Sequence, residues 1–189
     1  MAGQAASETY RESGRGTPTE GTRRGELGVG DRAPDFTLRT QAGVPYHLAD
    51  HLGERAIVLY FYPKDNTRGC TAEACAFRDS YEVFRDAGAE VVGISSDSEA
   101  SHRGFAERHG LPFTLLSDPH SKVRKRYRVR PSLGLLPGRE TFIIDRHGII
   151  RHRFSSQLNI QGHIEEALRT LQTLHAEAEP GVEGESRAG

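Results

Sequence analysis

Short apolar runs alternate with helix-like patterns along the middle of the chain. The runs are rich in β-branched and aromatic residues, which is typical of buried strands, and they cover residues 56–62, 90–95, 113–116, 141–145 and 149–154. A turn signal at 145–148 separates the last two runs and predicts a hairpin. Two shorter segments, 33–38 and 45–48, predict a further hairpin that precedes these strands.

Amphipathic segments lie between the predicted strands. Residues 71–87 predict a helix with one apolar stripe, formed by Ala74, Phe77, Tyr81 and Phe84. Further helices are predicted over 98–109, 121–127 and 160–175. This order indicates an α/β fold with a mixed central sheet, flanked by helices and extended by the N-terminal β-hairpin, and a thioredoxin-like fold fits it well.

Both ends of the chain lack this pattern. Residues 1–26 and 178–189 contain almost no large apolar side chains, and we predict a disordered N-terminal arm and a disordered C-terminal tail. Residues 27–177 then form one domain, which is long enough to bury a core of its own.

Charge and composition argue against several kinds of partner. The chain has 25 Lys and Arg against 26 Asp and Glu, a net charge of −1, which gives no global field to attract nucleic acid or an anionic membrane. We interpret the basic run 122–130 as a solvated helix surface rather than a nucleic-acid footprint. No stretch has the apolar length of a membrane span, and the first residues resemble no secretory or transit signal. We therefore expect a cytoplasmic protein.

The chain has two cysteines, Cys70 and Cys75, directly after the first strong strand pattern. If the following helix begins at Arg68, Thr67 is its N-cap and Cys70 its third residue, with a capping hydroxyl and unpaired backbone N–H groups nearby. The positive potential at a helix N-terminus favours the thiolate, which is the reactive form of cysteine. This placement predicts a redox or nucleophilic site.

The spacing of the two cysteines restricts how they can react. Along a regular helix they are rotated by about 140°, and their Cα atoms lie about 8–9 Å apart. A disulfide requires a Cα separation below about 7 Å. If the two thiols bond during function, the first turns of the helix must therefore unwind.

The residues around the first cysteine resemble a peroxiredoxin. Residues 61–71, Phe-Tyr-Pro-Lys-Asp-Asn-Thr-Arg-Gly-Cys-Thr, contain the Pro-x-x-x-Thr-x-x-Cys motif of that family. Residues 73–79, Glu-Ala-Cys-Ala-Phe-Arg-Asp, are similar to the peroxiredoxin Q branch, also called bacterioferritin comigratory protein. Segments 111–118 and 134–142 are also similar, and the resemblance covers about residues 27–175.

The resemblance implies a monomeric thiol peroxidase of antioxidant defence that uses no cofactor or metal and reduces hydrogen peroxide and organic hydroperoxides. Cys70 would be the peroxidatic cysteine, which becomes a sulfenic acid, and Cys75 the resolving cysteine of an intramolecular disulfide. Thr67 and Arg139 would hold the thiolate and polarise the peroxide, while Pro63 would shield the pocket. Thioredoxin or a similar dithiol would regenerate the enzyme.

Other interpretations of the cysteine pair stay open. The thiols could be inert in the core, they could form a redox sensor that switches a partner surface, or they could bind zinc, although no histidine lies in the motif. A thioredoxin-like dithiol oxidoreductase would normally separate its cysteines by two residues, and here four intervene. Arg68 stands where the family usually has proline, and we expect it to point to solvent.

Overall fold

The computed structural model describes residues 27–131 and 137–178. Within these residues the strands are β1 (Thr37–Thr40), β2 (Pro45–His47), β3 (Ala56–Phe61), β4 (Ala89–Ser95), β5 (Thr114–Ser117), β6 (Glu140–Ile144) and β7 (Ile150–Ser155). The helices are α1 (Arg68–Asp79), α2 (Tyr81–Asp86), α3 (Glu99–His109), α4 (Lys122–Arg126) and α5 (Ile160–Ala178), with a 3₁₀ helix over Leu48–His51.

The strands form one mixed sheet in the order β2-β1-β5-β4-β3-β6-β7. Strand β4 runs parallel to both β3 and β5, whereas β6 is antiparallel to β3 and forms the predicted hairpin with β7. The predicted N-terminal hairpin is also present, and β1 joins it to the sheet by pairing antiparallel with β5. Its first strand begins at Thr37 rather than at residue 33, because the backbone before it bonds elsewhere, with the Ala33 N–H donating to the Gly148 carbonyl at 2.8 Å.

Alternate side chains of the central strands pack into two hydrophobic clusters, one on each face of the sheet. The first cluster includes Val58, Tyr60 and Tyr62. Helices cover this face of the sheet with Phe77, Phe84, Phe105 and Ile164. The second includes Leu59 and Phe61 and lies under α4 and the 3₁₀ helix. This alternation places the end of β3, and the loop that follows it, at the junction of both clusters.

Close packing around Tyr60 fixes the part of the sheet below the candidate site. The Tyr60 ring stacks on Phe77, with centroids 4.5 Å apart. Its partner in β4 is Gly93, where a Cβ atom would lie 2.7 Å from the tyrosine ring. A side chain at this position would displace the ring, so the glycine allows β3 and α1 to pack closely.

The predicted helix over 71–87 is two helices, which meet at Ser80. Phe77 and Phe84 are fully buried on either side of this break, so the predicted apolar stripe is retained. Serine competes with the helical hydrogen-bond ladder and is tolerated at such breaks. The helices predicted over 98–109, 121–127 and 160–175 are confirmed, and Gly110 ends α3 at φ 59°.

The ends of the chain are described only in part. Helix α5 includes Ala178, the first residue of the predicted tail. The remainder of that tail and the predicted arm over 1–26 lie outside the described residues, so both stay predictions. Across residues 27–131 and 137–178, no helix combines the length and the apolar composition that crossing a membrane requires.

Candidate active site

A tight turn carries the chain from β3 to α1. Pro63 follows the strand in a bend and is half-buried. Asn66 then adopts φ 58°, a left-handed conformation that asparagine tolerates better than most residues. Thr67 is extended and is the N-cap of α1, as predicted, so the helix begins at Arg68 and Cys70 is its third residue.

Both cysteines are reduced and lie within the continuous helix α1. Cys70 is 2 % exposed and packs in the same cluster as Tyr60, Tyr62 and Phe77, whereas Cys75 is partly exposed. A regular helix holds thiols at this spacing too far apart for a disulfide. The described conformation is therefore one in which the two cysteines are unbonded and Cys70 is sheltered.

Arg139 brings a positive charge to the Cys70 sulfur from the residue before β6. Its Nη2 donates to Cys70 Sγ at 3.5 Å, and its Nη1 donates to the Gly69 carbonyl at 3.5 Å. The guanidinium is itself buried, at 4 % exposure. A Cβ atom on Gly69 would lie 3.2 Å from Nη2, so glycine gives this group room to approach the helix. A fixed cation here favours the thiolate.

Glu73 joins the site without having been predicted as a site residue. It lies one helical turn after Cys70, is fully buried, and its Oε2 accepts a hydrogen bond from Arg139 Nη1. Burial raises the pKa of the Glu73 carboxyl to about 8, against the opposing effect of the Arg139 charge. The sequence could have indicated this role, because Glu73 is an acidic residue three positions after Cys70 on the predicted buried face of the helix. Glu73 orients the guanidinium that contacts the sulfur.

His163 closes this buried cluster from α5. Its Nε2 lies 2.9 Å from the Ser156 carbonyl, which can only accept, so Nε2 carries the hydrogen. Its Nδ1 then accepts from the Thr141 hydroxyl at 2.7 Å. Burial lowers the pKa of His163 to about 4, the Ser156 bond opposes this shift, and the Arg139 charge adds to it. The imidazole therefore stays neutral beside the guanidinium at neutral pH.

We expect the His163→Gln variant to lose an acid-sensitive part of the protein's stability. Because the folded pKa is about 4 and the ordinary value is 6.5, the unfolded chain binds more protons between these two values. The wild-type protein should therefore lose about 3 kcal/mol of unfolding free energy from this group as the pH falls from 6.5 to 4. Urea unfolding at several pH values measures the loss.

The difference in unfolding free energy between wild type and His163→Gln reports the titration of His163 alone, because Glu73 titrates in both proteins. The exposed turn residue His147 offers a matched control, and His147→Gln should follow the wild-type pH profile. A wild-type advantage that stays constant between pH 6.5 and 4.5 would show that His163 does not titrate as described.

The other predicted site residues lie near Cys70 but are placed differently from expectation. The Thr67 hydroxyl makes no capping bond to α1 and donates instead to the Lys64 carbonyl at 3.0 Å. Pro63 borders the turn, and Cys75 lies further along α1. Arg68 is exposed, as expected. The catalytic roles of Pro63, Thr67, Cys70, Cys75 and Arg139 stay predictions at this point.

The interpretation of the basic run 122–130 as a solvated surface is wrong for Arg124. This side chain is 9 % exposed, and its guanidinium donates to the Tyr62 carbonyl at 2.6 Å and to the Gly138 carbonyl at 2.7 Å. Helix α4 packs against the sheet, and the carbonyl groups there require donors. Arg124 thereby connects the segment that carries Pro63 to the segment that carries Arg139.

The zinc interpretation receives no support from the described residues. In that part of the chain, His, Cys, Asp and Glu side chains form no group of three or more that could hold a metal ion. The geometry at Cys70 instead consists of one buried thiol, a fixed guanidinium and the start of a helix. These are groups suited to nucleophilic sulfur chemistry on a substrate whose leaving atom gains negative charge.

Comparisons with known proteins agree with this chemistry. Residues 29–153 match the AhpC/TSA family. Peroxiredoxin Q, chloroplastic, of Sedum lineare is 52 % identical over 146 residues, which are 77 % of this chain and 78 % of that protein. Peroxidoxin BcpB of Mycobacterium tuberculosis has a TM-score of 0.73 and 38 % identity, with 79 % of this chain and 99 % of that chain covered.

A third similar protein is the bacterioferritin comigratory protein of Xanthomonas campestris, whose structures are described in relation to alkyl peroxide reduction. Its TM-score is 0.67 at 30 % identity, with 76 % of this chain and 92 % of that chain covered. These neighbours confirm the predicted thioredoxin-like fold. The predicted cytoplasmic location is wrong, because the Sedum protein and other plant relatives are named chloroplastic. The prediction had rested on the absence of a recognisable targeting pattern, and such an absence does not determine the compartment of a protein.

Proposed function

The chain belongs to the AhpC/TSA family as a peroxiredoxin of the Q type, a peroxidase, and we propose that Cys70 is the residue that attacks the peroxide. One observation carries this proposal. Arg139 Nη2 lies 3.5 Å from the sulfur of a nearly buried thiol at the third residue of α1. Cys75 lies at the more exposed position, and the cation near it, Arg78, has an exposed guanidinium that is bonded to Asp79.

In the first step the Cys70 thiolate attacks the terminal oxygen of the peroxide. An S–O bond forms and the O–O bond breaks, so that Cys70 becomes a sulfenic acid and the leaving oxygen takes up a proton to give water or an alcohol. Negative charge moves from the sulfur to the leaving oxygen. The Arg139 guanidinium and the N–H groups of the first turn of α1 stabilise that charge without having to reorganise.

Thr67 and Pro63 are proposed to position the peroxide. Because the Thr67 hydroxyl hydrogen is directed to the Lys64 carbonyl, its oxygen presents free lone pairs, and these suit the O–H group of a hydroperoxide. Pro63 has no backbone N–H and is half-buried at the edge of the site. It would limit access of water to the thiolate.

In the second step the Cys75 thiol attacks the sulfur of the Cys70 sulfenic acid. The S–S bond forms, the S–OH bond breaks, and the hydroxide leaves as water with the Cys75 proton. Helix α1 must open between the two steps, because it contains both cysteines. A dithiol reductant then reduces the disulfide by exchange and becomes a disulfide itself. We propose thioredoxin for this role.

The proposed substrates are hydrogen peroxide and organic hydroperoxides. The alkyl peroxide reduction described for the Xanthomonas campestris relative supports the second class. We propose that the protein acts as a monomer, as its resemblance to the peroxiredoxin Q branch implies. Turnover of hydrogen peroxide and of an alkyl hydroperoxide with thioredoxin, its reductase and NADPH tests the proposal and ranks the two substrates.

In the same assay, Cys75→Ser is expected to reduce one equivalent of peroxide and then stop. Without a second thiol the Cys70 sulfenic acid has no intramolecular partner, so steady turnover with thioredoxin should fall roughly a hundredfold or more. Dimedone labelling should detect the trapped sulfenic acid on Cys70. The matched control Ala76→Ser adds a hydroxyl beside Cys75 and keeps the thiol. Full turnover by Cys75→Ser would remove Cys75 from the resolving role.

A further inference from the structure

A buried aspartate–histidine pair lies beneath the loop of residues 63–67, away from the reacting sulfur. Asp65 belongs to this loop and His102 to helix α3. Asp65 Oδ2 is 2.9 Å from His102 Nδ1, and the two side chains are 1 % and 0 % exposed. The pair connects the loop before Cys70 to a neighbouring helix.

Each polar neighbour of the Asp65 carboxylate donates a hydrogen to it. The Tyr62 hydroxyl donates to Oδ1 at 2.7 Å and the Ser101 hydroxyl to Oδ2 at 2.8 Å. The Asp65 backbone N–H in turn donates to Asp97 Oδ2 at 3.0 Å. Burial acts to raise the pKa of the Asp65 carboxyl, but the bonds from His102, Tyr62 and Ser101 outweigh it and hold that pKa below its ordinary value. Asp65 is therefore ionised in the folded protein.

Both ring nitrogens of His102 have buried polar partners. Nδ1 faces the Asp65 carboxylate, and Nε2 lies 3.2 Å from the Leu116 carbonyl of β5. Nδ1 also lies 3.3 Å from the Tyr62 hydroxyl, so the buried ring is held by partners from the loop, from β5 and from the residue that follows β3. Removing the imidazole would leave the buried Asp65 carboxylate without one of its partners, which is costly in the interior of a protein.

The position of this pair along the chain connects it to the reaction. Asp65 lies two residues before the N-cap Thr67 and five before Cys70. Asn66, which makes the left-handed turn, also accepts a hydrogen bond from Arg108 of α3. The loop is thus fastened to α3 at the point where α1 begins, and α1 is the helix that must unwind for Cys70 to reach Cys75.

We propose that Asp65 and His102 are positioning residues that hold the 63–67 loop on α3 and so keep Cys70 in its attacking position against the unwinding of α1. This inference rests on the proposed two-step reaction at Cys70 and Cys75. Neither residue of the pair touches the reacting sulfur in the described hydrogen bonds. Their effect is on the balance between the wound helix, which attacks the peroxide, and the unwound helix, which forms the disulfide.

Weakening the pair should therefore move the two chemical steps in opposite directions. In Asp65→Asn, attack on the peroxide should slow about tenfold and disulfide formation should accelerate about tenfold, because the wound state loses population to the unwound state. Irreversible oxidation of Cys70 to the sulfinic acid should fall as well, because the sulfenic acid is consumed sooner. A general loss of stability would not accelerate one step while it slows the other.

Quench-flow mass spectrometry measures both steps, since the chain has no tryptophan to report them by fluorescence. Reduced protein is mixed with hydrogen peroxide, quenched with a thiol-alkylating reagent and resolved into thiol, sulfenic acid, disulfide and sulfinic acid. Ser101→Ala removes one donor to Asp65 at a partly exposed position and should shift both rates severalfold in the same directions. It provides the test if Asp65→Asn does not fold.

Two further variants test whether Asp65 and His102 act as a pair and whether the rate changes differ from a general loss of stability. His102→Gln should change the rates of Asp65→Asn little, because the pair is already broken. Ile150→Val, buried in the cluster on the other face of the sheet, should lower stability and leave the ratio of the two rates unchanged. Rates that stay unchanged, or that move in one direction, in both Asp65→Asn and Ser101→Ala would overturn the inference. A wild-type protein that forms no disulfide between Cys70 and Cys75 would instead overturn the proposed function.

Discussion

Cys70→Ser is expected to abolish peroxide consumption, with a loss of at least about a thousandfold. Serine has nearly the shape of cysteine, so the packing with Tyr60 and Phe77 should be retained. Its hydroxyl, however, is not ionised near neutral pH even beside Arg139, and a neutral hydroxyl does not attack the O–O bond. The variant therefore removes the nucleophile and little else.

Consumption of hydrogen peroxide in the presence of dithiothreitol measures this loss without any need for a protein reductant. Cys75→Ser is the matched control, because it carries the same substitution at the other cysteine and should still consume peroxide with a small-molecule thiol. Circular dichroism and thermal unfolding establish that Cys70→Ser is folded. Residual consumption above a few per cent of the wild-type rate would mean that another group attacks the peroxide.

Arg139→Ala is expected to slow the attack on peroxide by roughly 10²- to 10³-fold, which is the loss seen when a fixed donor to developing charge is removed from an active site. Without the guanidinium, neither the thiolate nor the leaving oxygen has a buried positive charge beside it. The rate for Arg139→Lys should lie between those of the wild type and Arg139→Ala. An ammonium keeps the charge, but it cannot contact Glu73 and Cys70 together as a planar guanidinium does.

The rate of Cys70 oxidation as a function of peroxide concentration measures the effect of Arg139→Ala directly. Glu73 need not unfold this variant, because its raised pKa allows the buried carboxyl to be protonated at neutral pH. Arg68→Ala removes an exposed cation from the same motif and is the matched control, with an expected change of about threefold or less. Near-normal oxidation in Arg139→Ala, or an equal loss in Arg68→Ala, would remove Arg139 from its assigned role.

Local patterns were sufficient to predict most of the fold and the start of the site. The strand before Pro63, the N-cap at Thr67 and the third position of Cys70 all depend on residues close together in the sequence. The hydrophobic period likewise predicted α3 and α5, together with the terminal hairpin. Such features need only the geometry of one helix or strand, which the amino-acid pattern itself contains.

Contacts between distant segments were not predictable in the same way. Arg139 was assigned through resemblance to a family, because nothing local indicates that it contacts a residue 69 positions earlier. Glu73 and His163 come from α1 and α5, and their meeting depends on how both helices pack on the sheet. Arg124 shows the same limit, because a basic run on a short helix gives no sign of which arginine is buried.

The contact between His102 and Asp65 also follows only from the folded structure. The sequence neighbours of His102 indicate a helix, whereas the groups that its two ring nitrogens contact come from the loop before α1 and from β5. The left-handed turn at Asn66 brings Asp65 to this histidine and, in the same few residues, sets the start of α1. Loop geometry of this kind depends on tertiary contacts as much as on turn-forming residues.

One molecule of peroxide is expected to join two thiols that the intact helix α1 holds apart. Trypsin cleaves after Arg68 and Arg78, so residues 69–78 form a single peptide that carries both cysteines. After one equivalent of hydrogen peroxide, we expect this peptide to be lighter by two hydrogens and to resist alkylation until it is reduced. A protein that consumes the peroxide but yields this peptide with an alkylated Cys75 and no disulfide would contradict the claim.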